Sequence, residues 1–143
     1  MPYRFLEDIA TADVAFEARG ETREELFAAC ATALLATMVN EPDLVERRRE
    51  VAISLEHAEL DLLLHSFLAE LVFLKDARRL LLHADTVRIG NDAAGFQLEA
   101  LLRGEEIDPR RHGLLADVKA VTLHRLRVVC DDGVWRATVV LDI

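Results

Sequence analysis

Nucleophilic and metal-binding side chains are scarce in this sequence, and their scarcity narrows the kinds of protein it can encode. The sequence has two cysteines, Cys30 and Cys130, and two serines, Ser54 and Ser66. It contains no GxSxG, P-loop, GxGxxG or HExxH pattern, and its five histidines show no zinc-type spacing. A nucleophilic enzyme or a zinc enzyme is therefore poorly supported.

The two cysteines are far apart in the sequence, and each lies inside an apolar pattern. Neither belongs to a CxxC pair, the arrangement typical of redox motifs. We therefore expect Cys30 and Cys130 to be buried, reduced thiols without redox chemistry.

Basic residues are outnumbered, with 17 lysines and arginines against 26 acidic residues and a formal net charge of −9. High-affinity contact with a nucleic acid backbone needs clustered cations that displace counterions. Direct, high-affinity nucleic acid binding is therefore disfavoured. A basic protein partner or a metal cation suits this charge better.

Long apolar runs are also missing. The opening of the sequence places acidic residues within its first eight positions, unlike a signal peptide or a lipid anchor. No other stretch approaches the roughly 18 uninterrupted apolar residues of a membrane-spanning helix. We expect a cytoplasmic protein that does not enter a membrane.

The composition present is that of a folded protein. Hydrophobic residues make up 52% of the 143 residues and charged residues 30%. A chain of this length can bury one substantial core, so we expect a single domain over residues 1–143.

Hydrophobic periodicity predicts two helices and six strands. The predicted elements are a strand over 13–18, a helix over 22–38 opened by a Thr22–Glu25 capping box, a strand over 51–56, a helix over 59–76, a hairpin of strands 86–89 and 96–103, and a final hairpin around Asp131-Asp132-Gly133. This order predicts an α+β two-layer sandwich, with two helices packed on one face of a mostly antiparallel sheet.

Three consecutive arginines, Arg47 to Arg49, precede the second strand. They could form a phosphate or RNA patch. In so acidic a chain, an isolated triplet is more often a solvated loop or the guard of an edge strand, and we favour that interpretation.

The two ends of the chain offer oxygen ligands. Asp13 opens the first strand on its polar face, and Asp142 ends the last strand on its polar face, one residue before the carboxylate of Ile143. If these strands were neighbours, Asp13, Asp142 and a carbonyl or carboxylate of Ile143 would suit Ca²⁺, Mg²⁺ or Mn²⁺. An Asp at a strand end is, however, more often a turn or edge residue.

Lys119 lies in the run before the final turn, which we predict to be one strand that also bears Asp117 and His124. Its flexible side chain could pair with an acidic site or contact a partner. A solvent-facing strand lysine is the commoner case. Surface or packing roles are the default for His65 and Glu70 in the second helix.

Five segments of the sequence resemble the archease family, and together they span the whole chain. They are Phe5-Leu6-Glu7 leading to Thr11-Ala12-Asp13-Val14, then Phe67-Leu68-Ala69-Glu70-Leu71, then Gly104-Glu105-Glu106-Ile107-Asp108-Pro109 with His112, then Val118-Lys119-Ala120-Val121-Thr122-Leu123-His124, and finally Val139-Val140-Leu141-Asp142-Ile143.

The resemblance implies a non-catalytic accessory protein of RtcB-type RNA ligases in tRNA splicing and RNA repair. Such proteins promote guanylylation of the ligase's active-site histidine and support repeated turnover. The resemblance also implies a divalent metal, calcium in the family, on Asp13, Asp142 and Ile143, with Lys119 on the functional surface. We hypothesise that this acidic end inserts near the nucleotide site of the ligase.

One departure from the family pattern concerns the residue before Thr-Ala-Asp. Many archeases carry a histidine there, whereas this chain has Ala10 and an additional residue. The implied ligand Asp13 is retained without that histidine. Two other functions remain open: a metal-dependent phosphoesterase or hydrolase using the same carboxylates, and a chaperone-like interaction module that needs neither metal nor Lys119.

Overall fold

The chain folds into two helices and two antiparallel sheets, seen in a computed structural model that describes residues 2–6 and 13–143. The elements of these ranges are β1 (Tyr3–Leu6), β2 (Asp13–Gly20), α1 (Arg23–Met38), β3 (Arg49–His57), α2 (Leu60–Arg78), β4 (Leu80–Asp92), β5 (Gly95–Glu106), β6 (Ala120–Val121), β7 (Arg127–Asp131) and β8 (Val134–Asp142), with a short 3-10 turn at Pro42–Leu44. The α+β prediction is confirmed.

The single sheet that we expected is divided in two. The larger sheet runs in the order β1-β2-β8-β6, with β7 also paired to β8, and the smaller sheet runs in the order β3-β5-β4. All the strand pairs given for these sheets are antiparallel.

The predicted capping box opens α1. The hydroxyl of Thr22 accepts a hydrogen bond from the Glu25 N–H at 3.0 Å, and the Glu25 carboxylate accepts one from the Glu21 N–H at 2.8 Å. Helix α2 stops at Arg79, which adopts the left-handed conformation with φ of 54°. Neither helix of the described part of the chain is long and apolar enough to cross a membrane.

One hydrophobic cluster joins both helices to both sheets. Its largest fully buried members include Phe16 on β2, Phe27 on α1 and Phe67 on α2, and the rings of Phe27 and Phe67 are 5.7 Å apart. Burying each such side chain contributes about 1.5–3 kcal/mol. The cluster therefore fixes the positions of the helices relative to both sheets.

Strands β4 and β5 form a longer hairpin than predicted. Asp92 pairs with Gly95, so the turn contains only Ala93 and Ala94. A Cβ atom at Gly104 would overlap the carbonyl oxygen of Leu81 on β4, so only glycine permits the close approach of the two strands there.

The strand predicted before the final turn is interrupted. Strand β6 pairs with the end of β8, and β7 pairs with its beginning, while 122–126 leaves the ladder between them. The hydroxyl of Thr122 donates to the Val140 carbonyl at 3.0 Å and accepts from the His124 N–H at 3.2 Å, and Arg125 has a φ of 56°. These local bonds form a turn that contains His124. Asp117 and Lys119 come before β6, so all three residues lie outside the strands, contrary to our prediction.

The turn after β7 has the predicted form. Asp131 pairs with Val134, and the central residues Asp132 and Gly133 have φ of 55° and 78°. Positive φ at both positions is the type I′ pattern of a two-residue hairpin.

The outer face of the larger sheet, opposite the helices, is only partly polar. It comprises Asp13, Ala15, Glu17 and Arg19 of β2 with Arg136, Thr138, Val140 and Asp142 of β8. Ala15 and Val140 face each other there and are buried, at 0% and 1% exposure. The polar face of these two strands thus has a buried apolar row between its acidic end and its basic end.

The arginine triplet lies at the start of an edge strand, in agreement with the interpretation that we favoured over a phosphate or RNA patch. Strand β3 lies at the edge of the smaller sheet. Arg47, Arg48 and Arg49 are exposed and pair with Asp85, Glu46 and Glu106 respectively.

The prediction for the cysteines is half right. Cys30 is fully buried on α1, and burial raises the pKa of its thiol far above the ordinary value. Cys130 is exposed, which our prediction missed, because it lies one residue from the turn in the short strand β7.

Candidate functional site

Asp13 and Asp142 face each other across the β2–β8 ladder. Directly opposed residues have Cβ atoms about 5 Å apart and point to the same side of the sheet. Both residues are half-buried on the outer face, and neither forms an ion pair within residues 2–6 and 13–143. Two like charges in this register repel, so a cation that bridged them would stabilise the strand ends.

The other two predicted residues lie beside this pair. Ile143 follows Asp142 and packs partly against the core. The Lys119 N–H donates to the Asp142 carbonyl at 2.8 Å, and Ala120 pairs with Asp142 on the strand edge away from β2. We call Asp13, Lys119, Asp142 and Ile143 the acidic end of the larger sheet.

A buried lysine that sequence reasoning missed holds the segment before β6. Lys75 on α2 is 5% exposed, and its ammonium group donates to the Val118 carbonyl at 2.7 Å and to the Asp117 carboxylate at 2.5 Å. Burial alone would lower the pKa of Lys75, but its bonds to Asp117 and Asp76 outweigh burial and raise that pKa. Lys75 is therefore a charged anchor for the backbone next to Lys119.

A second side chain of α2 holds the other side of Lys119. The Nε2 atom of His65 lies 2.7 Å from the Val121 carbonyl oxygen. His65 and Lys75 thus fix the main chain on both sides of Lys119 and Ala120. The packing role expected for His65 agrees with this bond. Helix α2 positions one flank of the acidic end.

The donor set of the acidic end fits a hard divalent cation. Two carboxylates and the main-chain oxygens of Ile143 are oxygen ligands of the kind that Ca²⁺, Mg²⁺ and Mn²⁺ prefer. In the part of the chain that the structure describes, no group of three or more His, Cys, Asp or Glu residues is arranged to hold a metal. A cation at Asp13 and Asp142 would need water or a partner to complete its coordination. Metal binding stays a prediction.

A cluster of charged and polar side chains joins the end of β5 to the loop that follows it. Glu105 and His112 are buried, at 5% and 3% exposure. The Glu105 carboxylate pairs with Arg111, lies 3.3 Å from His112 Nε2 and accepts the Glu46 N–H at 2.5 Å. We call Glu105, Arg111 and His112 the loop cluster.

The ring of His112 is held in one tautomer. The Asp108 N–H donates to Nδ1 at 2.9 Å, so the neutral ring carries its proton on Nε2, which lies 3.3 Å from the Glu105 carboxylate and 3.2 Å from the Arg111 guanidinium. Burial lowers the pKa of His112, and the nearby positive charge of Arg111 lowers it further. Protonating Nδ1 would also break its bond to Asp108.

The loop cluster was not predicted from the sequence. Arg111 and His112 occur in a loop with little periodicity, and Glu105 on β5 meets the Glu46 N–H only because β5 pairs with β3. The buried charge of Glu105 is balanced by Arg111 and satisfied by hydrogen bonds. The cluster joins the loop after β5 to the segment before β3.

Together, the fold and the acidic end define a small two-layer α+β protein with paired carboxylates on one sheet end. The Archease protein family (MTH1598/TM1083) matches residues 3–143. The archease of Methanopyrus kandleri is 36% identical over 143 residues, covering 100% of both chains, and that of Pyrococcus abyssi is 35% identical over 134 residues, covering 93% of this chain and 94% of its own. The chain belongs to the archease family.

Solved structures agree with this assignment. The solution structure of Methanobacterium thermoautotrophicum protein 1598 has a TM-score of 0.86 at 32% identity and covers 99% of both chains. The crystal structure of a Thermotoga maritima protein, described as an archease and possible chaperone, has a TM-score of 0.65 at 21% identity and covers 98% of both chains. The second likeness shows the fold alone. The departure from the family pattern at Ala10 lies outside the described residues.

Proposed function

We propose that this protein is a non-catalytic accessory protein that activates an RtcB-type RNA ligase in tRNA splicing and RNA repair. The observation that supports the proposal is the facing pair Asp13 and Asp142 in a member of the archease family. These residues are 129 positions apart in the sequence, and the β2–β8 ladder brings them into direct opposition.

The acidic end would hold a divalent cation, with Ca²⁺ as our first choice and Mg²⁺ or Mn²⁺ as alternatives. Asp13, Asp142 and the main-chain oxygens of Ile143 are its proposed ligands. When bound, the cation would supply positive charge for phosphate oxygens. The incomplete donor set leaves room for ligands from the partner.

Lys119 would contact the partner beside this site. Its side chain is exposed, while its main chain is fixed on Asp142 and between the bonds of Lys75 and His65. A fixed backbone reduces the conformational entropy lost when the side chain binds. An ammonium group there can reach phosphate or carboxylate groups of the ligase or its nucleotide.

The proposal is tested by adding the protein to its cognate ligase with GTP and metal. We expect faster guanylylation and repeated turnover. Asp13→Asn and Asp142→Asn should remove both effects without loss of fold by circular dichroism. Asp131→Asn changes an exposed carboxylate at the opposite end of the same sheet and is the matched control. No gain with the native protein would refute the proposal.

A chaperone-like function is the second candidate. A groove of about 240 Å³ is lined by six apolar and three charged residues: Met38, Leu81, Ile107, Leu114, Leu115 and Ala116, with Lys75, Arg79 and Asp117. Suppression of partner aggregation that is insensitive to chelator and to Lys119→Ala would favour this function. Hydrolysis of a phosphoester panel by the protein alone would favour the phosphoesterase alternative instead.

A further inference from the structure

We propose that the basic end of the outer face binds the phosphate groups of an RNA strand. A surface hollow of about 310 Å³ lies where β1, β2 and β8 meet. Its lining includes three arginines, Arg4, Arg19 and Arg136, and one acidic residue, Glu17. We call this surface hollow, with its three arginines, the arginine hollow.

The register of the sheet places two of these arginines in direct opposition. Arg19 on β2 pairs with Arg136 on β8. Like charges opposite each other destabilise a strand pair. In the ranges 2–6 and 13–143, no carboxylate forms an ion pair with Arg19 or Arg136, and Glu17 lies 3.6 Å from the guanidinium of Arg4. The pairing is therefore unfavourable for folding unless an anion joins the two guanidinium groups.

The arginine triplet before β3 differs from this pair. Arg47, Arg48 and Arg49 are as close in sequence as residues can be, yet each has a carboxylate within 3 Å. A chain with a net charge of −9 has ample carboxylates for Arg19 and Arg136 as well. In the registers of the described strands, Arg19 and Arg136 are the only two arginines in direct opposition, and an anionic ligand accounts for this pairing.

Phosphate is the anion that the arginine hollow fits. Guanidinium groups bind phosphate oxygens through two parallel N–H bonds, and arginine is the usual residue for this recognition. Arg127 on β7 extends the basic surface, because it pairs with Thr138 in the next row of the same face. An open row of arginines suits successive phosphates of a strand better than one compact anion.

The position of the arginine hollow also favours RNA. Arg19 is six residues from Asp13 along β2, or about 20 Å, on the same face as the acidic end. This step rests on the proposed function: an RNA strand seated on the arginines would lie close to an RNA ligase docked at the acidic end. The binding itself depends only on the arginines, so it is testable without the proposed metal site.

Fluorescence anisotropy with a labelled single-stranded RNA of about 12 nucleotides in low salt is the direct test. We expect weak, saturable binding that falls with salt, with a log–log slope near −2 for about three phosphates. Arg19→Gln with Arg136→Gln should weaken binding at least about fivefold and reduce the magnitude of the slope by about 1.4. The matched control, Arg78→Gln with Arg110→Gln, removes the same charge from two other exposed arginines and should change binding less than about twofold.

Thermal unfolding separates a ligand site from a structural role. The Arg19→Gln and Arg136→Gln variant should be at least as stable as the native protein, because it removes a repulsive pair. Inorganic pyrophosphate should raise the melting temperature of the native protein more than that of the variant. A variant with a lower melting temperature and unchanged RNA affinity would overturn the proposal.

Three further outcomes bear on the proposal. Equal loss of binding in the control variant, or no saturable binding by the native protein, would refute it. Pyrophosphate binding as tight as RNA binding would keep the phosphate chemistry but replace RNA by a small free phosphate compound. Loss of ligase binding without any RNA binding would make the hollow a protein interface instead. Asp142→Asn should leave RNA affinity unreduced, which separates this test from that of the proposed function.

Discussion

The loop cluster and the acidic end place carboxylates in opposite circumstances. In the loop cluster, the buried Glu105 meets Arg111, His112 and a backbone N–H, so its charge is balanced and its oxygens are bonded. At the acidic end, Asp13 and Asp142 face each other with no positive side chain of the described chain paired to either.

The difference distinguishes a structural cluster from a candidate binding site. A buried carboxylate whose partners are supplied by the chain stabilises the fold, and removing it leaves those partners uncompensated. A pair of facing carboxylates opposes folding, and a ligand from outside the chain relieves that repulsion. Replacing a carboxylate by its amide should therefore lower the free energy of unfolding in the loop cluster and raise it at the acidic end.

The largest expected effect is in the loop cluster. Glu105→Gln leaves Arg111 without its buried partner and should lower the free energy of unfolding by about 3 kcal/mol. For a chain of this size, that corresponds to a fall of about 10 °C in melting temperature. Urea unfolding measures it, and Glu99→Gln, on the exposed surface of β5, should cost less than about 0.5 kcal/mol. Equal effects of the two substitutions would contradict the structural assignment.

The second-largest loss of stability is expected at Lys75, which anchors the backbone beside the acidic end. Lys75→Met removes the donor to the buried Val118 carbonyl and should cost about 2 kcal/mol. If the acidic end binds calcium, the affinity should also fall, because the backbone beside Asp142 loses its support. Arg78→Met, exposed in the same last turn of α2, is the control. A loss of stability with unchanged calcium affinity would restrict Lys75 to a structural role.

Lowering the pH should destabilise the protein through His112 of the loop cluster, by less than either substitution above. The pKa of His112 is lowered in the fold, so the unfolded chain binds the proton more readily, and stability present above about pH 6.5 is lost as the pH falls. We expect a fall of a few degrees in melting temperature between pH 7.5 and 5. His112→Gln should flatten this slope, whereas His83→Gln should keep it. An unchanged slope in His112→Gln would assign the effect to other groups.

The smallest effect has the opposite sign. In the presence of chelator, Asp142→Asn should raise the free energy of unfolding by about 0.5 kcal/mol, because it removes the repulsion with Asp13. With calcium in excess, the native protein should become the more stable of the two, since only it gains binding energy. Scanning fluorimetry with and without calcium measures this reversal. Destabilisation of Asp142→Asn in chelator would show that the pair is compensated.

Local patterns predicted those parts of the fold that depend on neighbours in sequence. The Thr22 cap, both helices and the Asp132-Gly133 turn rest on contacts within a few residues, and they are confirmed. Strand β1 was missed, and the run from Asp117 was predicted as one strand although it contains a turn. Its path depends on the distant Lys75 and Val140, which no local pattern reveals.

The candidate site divides in the same way. Periodicity assigned Asp13 and Asp142 to polar strand ends, and the family resemblance pointed to the same residues. The opposition of Arg19 and Arg136, the anchor Lys75 and the partners of Glu105 were not predicted. The first joins two strands, the second joins a helix to a loop, and Glu105 accepts the N–H of the distant Glu46, so the pairing of those segments had to be known first. Arg111 and His112 are near Glu105 in sequence, but no periodic pattern marked their loop.

By itself, the sequence determined the fold class, the helix and turn positions and the family, because short-range periodicity, capping and turn chemistry act within a few residues. Only the tertiary structure decided which charges meet. Strand register brings residues 129 positions apart into opposition and sets two arginines against each other on the same face. Electrostatic interactions depend on distance in space, and that distance exists only once the sheets have formed.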